Sequence, residues 1–280
     1  MLLYHYCKAD TLEKILASKS LWLTRFVDSN DAEEVTRTLR IIWDKIKNDM
    51  EKGIQDLPHS KDIIERLKDQ METDLFMSTE GDETPMGISL SFNRDLAQNW
   101  NEYGEMSNGV ALGFSKDLMI GINHTMPHPN ANTNMSLGWN QVYYDRDDLS
   151  NAFSQIFIEE LHSNPIIGWL NVRKTLKCYS AFIKNPTFRD EREVRIVFYP
   201  NKNVEKATDS EISELISEPI PHCSLPWIKS NGVCGLKEII IGTNCKYKKE
   251  DIKKMLYENE IKSEINIVKS EYPYRISKNR

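Results

Sequence analysis

Residues 193–198 (Glu193-Val194-Arg195-Ile196-Val197-Phe198) alternate polar and apolar side chains, and this stretch decides the fold class. Successive side chains of a strand point to opposite faces, so the alternation predicts a half-buried strand. Other short segments with a strand pattern lie on both sides of it. Between several of them lie segments whose apolar residues have helical spacing. We therefore expect an α+β protein with strands at 2–6, 20–24, 87–92, 109–114, 141–144, 193–198, 238–242 and 265–268.

The helical patterns place most of the remaining chain around these strands. We expect short helices at 96–103 and 249–258, and helical stretches at 150–163 and 166–183. The segment 121–140 is rich in Asn, His, Pro and Met, which favours irregular structure. We find no repeat and no long linker, so we expect a single domain over 1–280, with a helical insertion at about 35–83.

Composition excludes several classes of protein. The chain has 280 residues, a net charge of −6 and 40% hydrophobic residues, which is enough apolar material for a core. No apolar run approaches the roughly 20 residues that cross a bilayer, and the first residues (MLLYHY) lack the basic region of a signal peptide. We expect a cytoplasmic protein that does not bind a membrane. The acidic balance argues against a surface covered in phosphate-binding charge, but it leaves room for a local basic groove.

The cysteine spacing is not that of a metal site. Of five cysteines, Cys223, Cys234 and Cys245 are evenly spaced, but none forms a CxxC pair and no HxxxH partner is present. Reduced thiols in a cytosolic protein explain them better than structural zinc. We expect no metal.

Two carboxylates at the start of the 193–198 strand are candidates for chemistry. Glu191 and Glu193 share a face if the strand begins by Glu191, and Arg192 and Arg195 flank them. A carboxylate held between guanidinium groups stays ionised, which suits a group that stabilises developing positive charge. The alternative is a solvated, charged strand end.

Polar and aromatic residues on three other elements are weaker candidates. His5 lies on the opposite strand face from Tyr4 and Tyr6, where a buried core histidine is the plainer interpretation. Ser89 and Ser91 share one strand face and could orient a carboxylate, although strand serines are common at surfaces. Trp100 and Tyr103 share a helical face, which fits either core packing or an aromatic wall for a flat ligand. The best-known nucleotide, hydrolase and zinc-protease motifs (GxGxxG, Walker A, GxSxG and HExxH) are absent.

Six segments spread over nearly the whole chain occur in a characteristic order. They are LYHYCKADTLEKILASKSLWLTRFVDSNDAEE (3–34), SLSFNRDLAQNWNEYGEMSNGVALGF (89–114), VYYD (142–145), KNPTFRDEREVRIVF (184–198), KEIIIGTNC (237–245) and SEYPYR (270–275). In these segments and their order the sequence resembles the DUF2971 family of bacterial and phage-associated proteins, a family label that names no activity.

A more distant resemblance, to the ADP-ribosyltransferase superfamily, implies a function. A first-strand His, a central-strand Ser and a late-strand Glu occur there in this order, on a split antiparallel β-sheet core with surrounding helices. The resemblance implies that His5, beside Tyr6, holds the ribose of NAD, that Ser89 or Ser91 supports the site, and that Tyr103 stacks on nicotinamide.

For catalysis, the resemblance implies Glu193, with Glu191 as the substitute. Arg25 is a candidate pyrophosphate contact. Next to it in sequence, Asn30 and Asp31 are explained by helix capping.

The implied activity is an NAD-dependent ADP-ribosyltransferase that acts as a bacterial toxin or antiphage defence effector. NAD is then a substrate, and the acceptor is RNA or DNA, or otherwise a protein; an antitoxin or chaperone is a further expected partner. Two alternatives stay open: an NAD glycohydrolase that uses water at the same site, and a non-catalytic module that binds a nucleotide or a protein.

Overall fold

A computed structural model describes the parts of the chain that form the sheet and its flanking helices. The described ranges are 1–26, 85–119, 137–144, 180–198 and 222–272, together with residue 122, single positions between 40 and 52, and the backbone of 213–215. All statements about structure below concern these residues.

The described strands form one mixed sheet of ten strands around which the fold is organised. In chain order the strands are β1 (Leu3–Cys7), β2 (Ser20–Arg25), β3 (Met86–Ser91), β4 (Val110–Phe114), β5 (Leu137–Gln141), β6 (Glu193–Phe198), β7 (Ser213–Leu215), β8 (His222–Pro226), β9 (Leu236–Ile241) and β10 (Asn266–Lys269). All pairs are antiparallel except β9 with β10, which is parallel.

Three α-helices are described in full, and two of them pack on one face of the sheet. They are α1 (Ala9–Ser18), α2 (Ala97–Glu102) and α3 (Lys249–Glu258), with 3-10 helical turns at Lys116–Met119 and Pro186–Glu191. Helix α1 buries Leu12, Ile15 and Leu16, and α3 buries Ile252 and Leu256. The two helices contact each other and cover the main core.

The alternation of the central strands separates an apolar face from a polar one. In β6, Val194 and Ile196 enter the main core with α1 and α3, whereas Glu193 and Arg195 point to the other face. In β3, Ile88 and Leu90 enter the same core, and the serines lie opposite them. The second face carries a smaller core of Tyr4, Tyr6, Trp100, Ala111 and Ile240.

The sheet branches at β3, and this branch creates the space for a site. One edge of β3 pairs with β6 along its whole length. On the other edge, β1 pairs only with Ser91, at one end, and β2 pairs only with Gly87 and Met86, at the other end. The middle of β3 therefore has no strand pairing on that edge, between a branch that continues through β1 to β4 and a branch that continues through β2 to β8.

The expected α+β class is confirmed, with corrections of detail. The sheet is mixed rather than wholly antiparallel, because β10 adds parallel to β9. The strand expected at 141–144 lies earlier, at Leu137–Gln141, so part of the segment expected to be irregular is strand, and Tyr143 makes only an isolated bridge to Ile183.

Other sequence predictions fall partly or wholly outside the described residues. Single described positions between 40 and 52 are helical, but the rest of the expected 35–83 insertion lies outside, as do 150–163 and most of 166–183. Within the described part of the chain, no helix combines the length and apolarity needed to cross a membrane.

Candidate functional site

A cleft with a volume of about 360 Å3 opens at the branch of the sheet. β1 and β2 form its two sides, β3 and β6 contribute its floor, and α2 and the 186–191 turn close one end. The residues that the resemblance implied for catalysis or NAD binding all line this one cleft. These residues are His5, Tyr6, Arg25, Ser89, Ser91, Tyr103, Glu191 and Glu193.

Glu193 is a buried, ionised carboxylate in the floor of the cleft. The Nε atom of Arg195 donates to its Oε1 at 2.7 Å, and the same guanidinium reaches Oε2 at 3.2 Å. The ammonium of Lys184 also lies 3.2 Å from Oε2. Burial alone would raise the pKa of Glu193, but Arg195 and Lys184 outweigh it, and a hydrogen bond from Ser89 adds to them, so the pKa falls to about 2.

Lys184 joins the two carboxylates. Its Nζ lies 2.6 Å from Glu191 Oε2 as well as 3.2 Å from Glu193, and it donates to the Tyr103 hydroxyl at 3.4 Å. Burial opposes its charge, but the nearby acidic groups raise the pKa of Lys184 above its usual range. The two cations and two carboxylates of this buried cluster cancel in charge, as buried ions must to be tolerated.

Glu191 occupies a different electrostatic environment from Glu193. It ends the 186–191 turn, is buried, and accepts from Lys184 and from the amide of Gln98 at 3.5 Å. Burial outweighs the ammonium of Lys184, and the negative charge of Glu193 adds to it, so the pKa of Glu191 is raised. The pair is thus divided into one strong and one weaker acid, an arrangement that separates proton transfer from charge stabilisation.

His5 bridges the gap between the diverging strands β1 and β3. Its Nδ1 lies 3.2 Å from the backbone oxygen of Ser89. A carbonyl oxygen can only accept, so Nδ1 carries the proton in this contact. Burial lowers the pKa of His5, which favours the neutral ring. Nε2 is then a hydrogen-bond acceptor, and His5 is only half-buried rather than a closed core histidine.

The two serines of β3 have different roles. Ser91 is buried, donates to the Glu191 carbonyl at 2.6 Å and accepts from the Asn93 backbone, so it fixes the end of the 186–191 turn. Ser89 is the exposed position in an otherwise buried strand, and it helps to lower the pKa of Glu193. Of the two, Ser89 is placed to contact a ligand.

The aromatic candidates also divide into core and cleft residues. Trp100 is fully buried against Tyr6 and donates to Asp95, so core packing explains it. Tyr6 uses its hydroxyl to donate to the Asn93 carbonyl and to accept from the Leu96 backbone. Tyr103 is 41% exposed in the cleft, and burial of its hydroxyl raises its pKa to about 12.

The expected arginine frame around the carboxylates is only half correct. Arg195 pairs with Glu193, but Arg192 adopts a left-handed backbone conformation and lies over the ring of Phe92. Glu191 also precedes the strand rather than opening it, because β6 begins at Glu193. Arg25 lines the cleft at the end of β2, whereas Asn30 and Asp31 lie outside the described residues.

Several cleft residues were missed in the sequence, and Lys184 is the most important of them. Its partners lie across a 3-10 turn whose spacing gives no periodic signal, and its one clue was its place at the start of the 184–198 segment. Trp22 was also missed. It lies between Leu21 and Leu23 in one apolar run, but strand alternation places its side chain on the opposite face, where it is exposed.

None of the cysteines in the described ranges lines this cleft. Cys7, Cys223, Cys234 and Cys245 are free thiols, the first three of them buried. Within the described ranges, no three His, Cys, Asp or Glu side chains converge as a metal site would require. Cys178 lies outside those ranges.

Comparison with known proteins gives one match to a family model, over about a third of the chain, and that family has no assigned activity. Residues 99–196 match the family model described as "Protein of unknown function (DUF2971)". The match includes Tyr103 and the whole charge cluster, whereas His5 and Ser89 lie outside it. No curated protein and no solved structure matches the chain.

Proposed function

Because the match to DUF2971 leaves the activity open, we propose from the cleft that the protein is an NAD-dependent ADP-ribosyltransferase. It would transfer ADP-ribose from NAD to a macromolecular acceptor. The observation that carries this proposal is the meeting of His5, Ser89 and ionised Glu193 in one solvent-open cleft, from three separate parts of the chain. The branch of the sheet at β3 supports a likeness to the split core of ADP-ribosyltransferases.

The proposed reaction breaks the bond between nicotinamide and C1′ of its ribose. The bonding electron pair leaves with the pyridinium nitrogen, which becomes neutral, and positive charge develops on the ribose as an oxocarbenium ion. An ionised carboxylate beside the sugar stabilises that charge. Glu193 fits this role because its pKa of about 2 keeps it ionised throughout the neutral range.

The acceptor must lose a proton as it attacks C1′. Glu193 is a poor base because Arg195 and Lys184 stabilise its charged form. Glu191 has the raised pKa of the two, so it is the better proton acceptor. Glu193 would therefore stabilise the ribose cation, and Glu191 would take the proton.

The remaining cleft residues suit binding of the dinucleotide. Nε2 of the neutral His5 would accept a hydrogen bond from a ribose hydroxyl, with Ser89 as a second partner on the floor. Tyr103 offers an exposed ring for nicotinamide, and the guanidinium of Arg25 suits the pyrophosphate.

The proposed biological role is that of a toxin or antiphage effector with a nucleic-acid or protein acceptor. This role rests on the resemblance alone. It predicts that expression of the wild-type protein slows growth, and that Glu193→Gln relieves the inhibition at equal protein level. Equal toxicity of both proteins would place the toxic activity elsewhere.

The direct test measures release of nicotinamide from NAD by the purified protein, with and without cell RNA, DNA and protein. We expect wild-type protein to release nicotinamide and label one acceptor fraction, Glu193→Gln to release almost none, and Glu258→Gln, an exposed α3 control, to match wild type. Nicotinamide release without labelling of any acceptor would identify the glycohydrolase. Absence of release under all conditions would leave the non-catalytic binding module.

A further inference from the structure

We propose that Trp22 is the stacking surface for the adenine ring of the dinucleotide, on the branch of the cleft formed by β2, whereas Tyr103 follows the helix that packs on β1. This inference deepens the proposed function and rests on it, because it assigns the second half of the same substrate.

Trp22 is presented to the cleft in a fixed orientation. Its neighbours Leu21 and Leu23 are fully buried in the main core, so alternation along β2 directs the indole to the opposite face. The ring stacks on His222 of β8, with centroids 3.9 Å apart and planes inclined by 19°. His222 is buried, so it holds one face of the indole while 40% of Trp22 stays exposed.

An exposed indole with one face held by a neighbour is well suited to stack on a flat heteroaromatic ring. The imidazole sets the plane of the indole before any ligand arrives, so little side-chain freedom is lost on binding. An aromatic side chain can stack on the face of any base, whatever hydrogen-bonding groups the base carries. The predicted ligand group is therefore a planar base.

The arrangement of the whole cleft favours a ligand with two planar ends. Tyr103 is 41% exposed beside the branch formed by β1, and Trp22 is 40% exposed on the branch formed by β2. Between the two branches lie His5 and Ser89, which suit ribose hydroxyls, and Arg25 suits a phosphate. Nicotinamide adenine dinucleotide has this layout, with rings at both ends and sugars and phosphates between them.

The test compares binding of two fragments of NAD, one with and one without adenine, to Trp22→Leu and Trp22→Phe by titration calorimetry. ADP-ribose contains adenine, and nicotinamide mononucleotide does not. We expect Trp22→Leu to weaken binding of ADP-ribose by about tenfold and to leave nicotinamide mononucleotide unchanged. Trp22→Phe keeps a π-face and should keep most of the ADP-ribose affinity, which also shows that changes at this position do not unfold the protein.

Three results with the variants would overturn the inference. They are unchanged ADP-ribose affinity in Trp22→Leu, equal weakening of ADP-ribose and nicotinamide mononucleotide binding, and equal loss of ADP-ribose affinity in Trp22→Phe. If wild-type protein cleaves NAD in any of these cases, the proposed function stands without the Trp22 site. If wild-type protein binds neither NAD nor ADP-ribose, both the inference and the proposed function fail.

Discussion

Replacement of Lys184 by methionine removes the ammonium that joins the two carboxylates of the cleft. Methionine has similar length and no charge, so the change keeps much of the packing. Glu193 retains the two-atom contact with Arg195. Glu191 loses a cation at 2.6 Å and stays buried.

The variant should be less stable because Glu191 stays buried without the ammonium of Lys184. Breaking a buried ion pair by removal of one member destabilises proteins by about 3–5 kcal/mol. We expect Lys184→Met to lower the free energy of unfolding by an amount in this range at about pH 8.

The loss of stability in Lys184→Met should be greater at high pH than at low pH. The pKa of Glu191 is already raised by burial and rises further without Lys184. A carboxyl group whose folded pKa exceeds its unfolded value destabilises the fold at high pH, and this cost disappears as the pH falls below the unfolded pKa. The difference in unfolding free energy between the variant and wild type should therefore be smaller at about pH 5 than at about pH 8.

Urea unfolding at both pH values measures the effect. Lys254→Met is the matched control, because Lys254 is exposed on α3 and its i,i+4 pair with Glu258 is worth less than about 0.5 kcal/mol. The double variant Lys184→Met with Glu191→Gln should recover part of the loss, because no buried charge is then left unpaired at position 191. A loss below about 1 kcal/mol, or one equal at both pH values, would refute this reasoning about the cluster.

Four further predictions test individual parts of the site. Ser91→Ala should lower the free energy of unfolding by about 1–3 kcal/mol, because it removes a buried hydrogen bond. Ser89→Ala should lower it by less than about 0.5 kcal/mol but should reduce nicotinamide release. Equal losses of stability in the two variants would contradict their separate roles. Met106→Gly should stabilise by about 0.5–1 kcal/mol in urea melts because Met106 has a left-handed φ of 53°, and destabilisation would count against that conformation. Gly109→Ala should cost more than about 2 kcal/mol, since a Cβ there would lie 2.1 Å from a carbonyl oxygen of β1; a normal melting temperature would exclude this close approach. The lowered pKa of Glu193 should add about 3 kcal/mol to the free energy of unfolding above about pH 4.5, and this contribution should be lost as the pH falls towards 2. Acid titration should show the loss in the wild-type protein and not in Glu193→Gln.

The elements that could be predicted from sequence are those with a strong local pattern. Alternation placed β6 at residues 193–198, and helical spacing placed α3 at residues 249–258. β8 was missed because its residues, HCSLP, show no clear alternation, and it exists by pairing with the distant β2. Local pattern cannot reveal a partner far along the chain.

The site was predictable as a set of residues but not as an arrangement. The resemblance implied His5, Ser89 or Ser91, and Glu193 or Glu191, and all five residues line one cleft. The role of Lys184 depends on a 3-10 turn that folds it back beside Glu191. The cleft itself depends on β1 and β2 leaving the same edge of β3 at different ends, and this register has no signature in any one strand.

The most direct measurement is a crystal structure of the Glu193→Gln protein with NAD, because that variant should bind the substrate without cleaving it. The account predicts NAD in the cleft between Tyr103 and Trp22, with a ribose hydroxyl within hydrogen-bond distance of His5 Nε2 and nicotinamide ribose beside residue 193. NAD bound at another surface, or in the cleft with its nicotinamide ribose away from residue 193, would contradict the account.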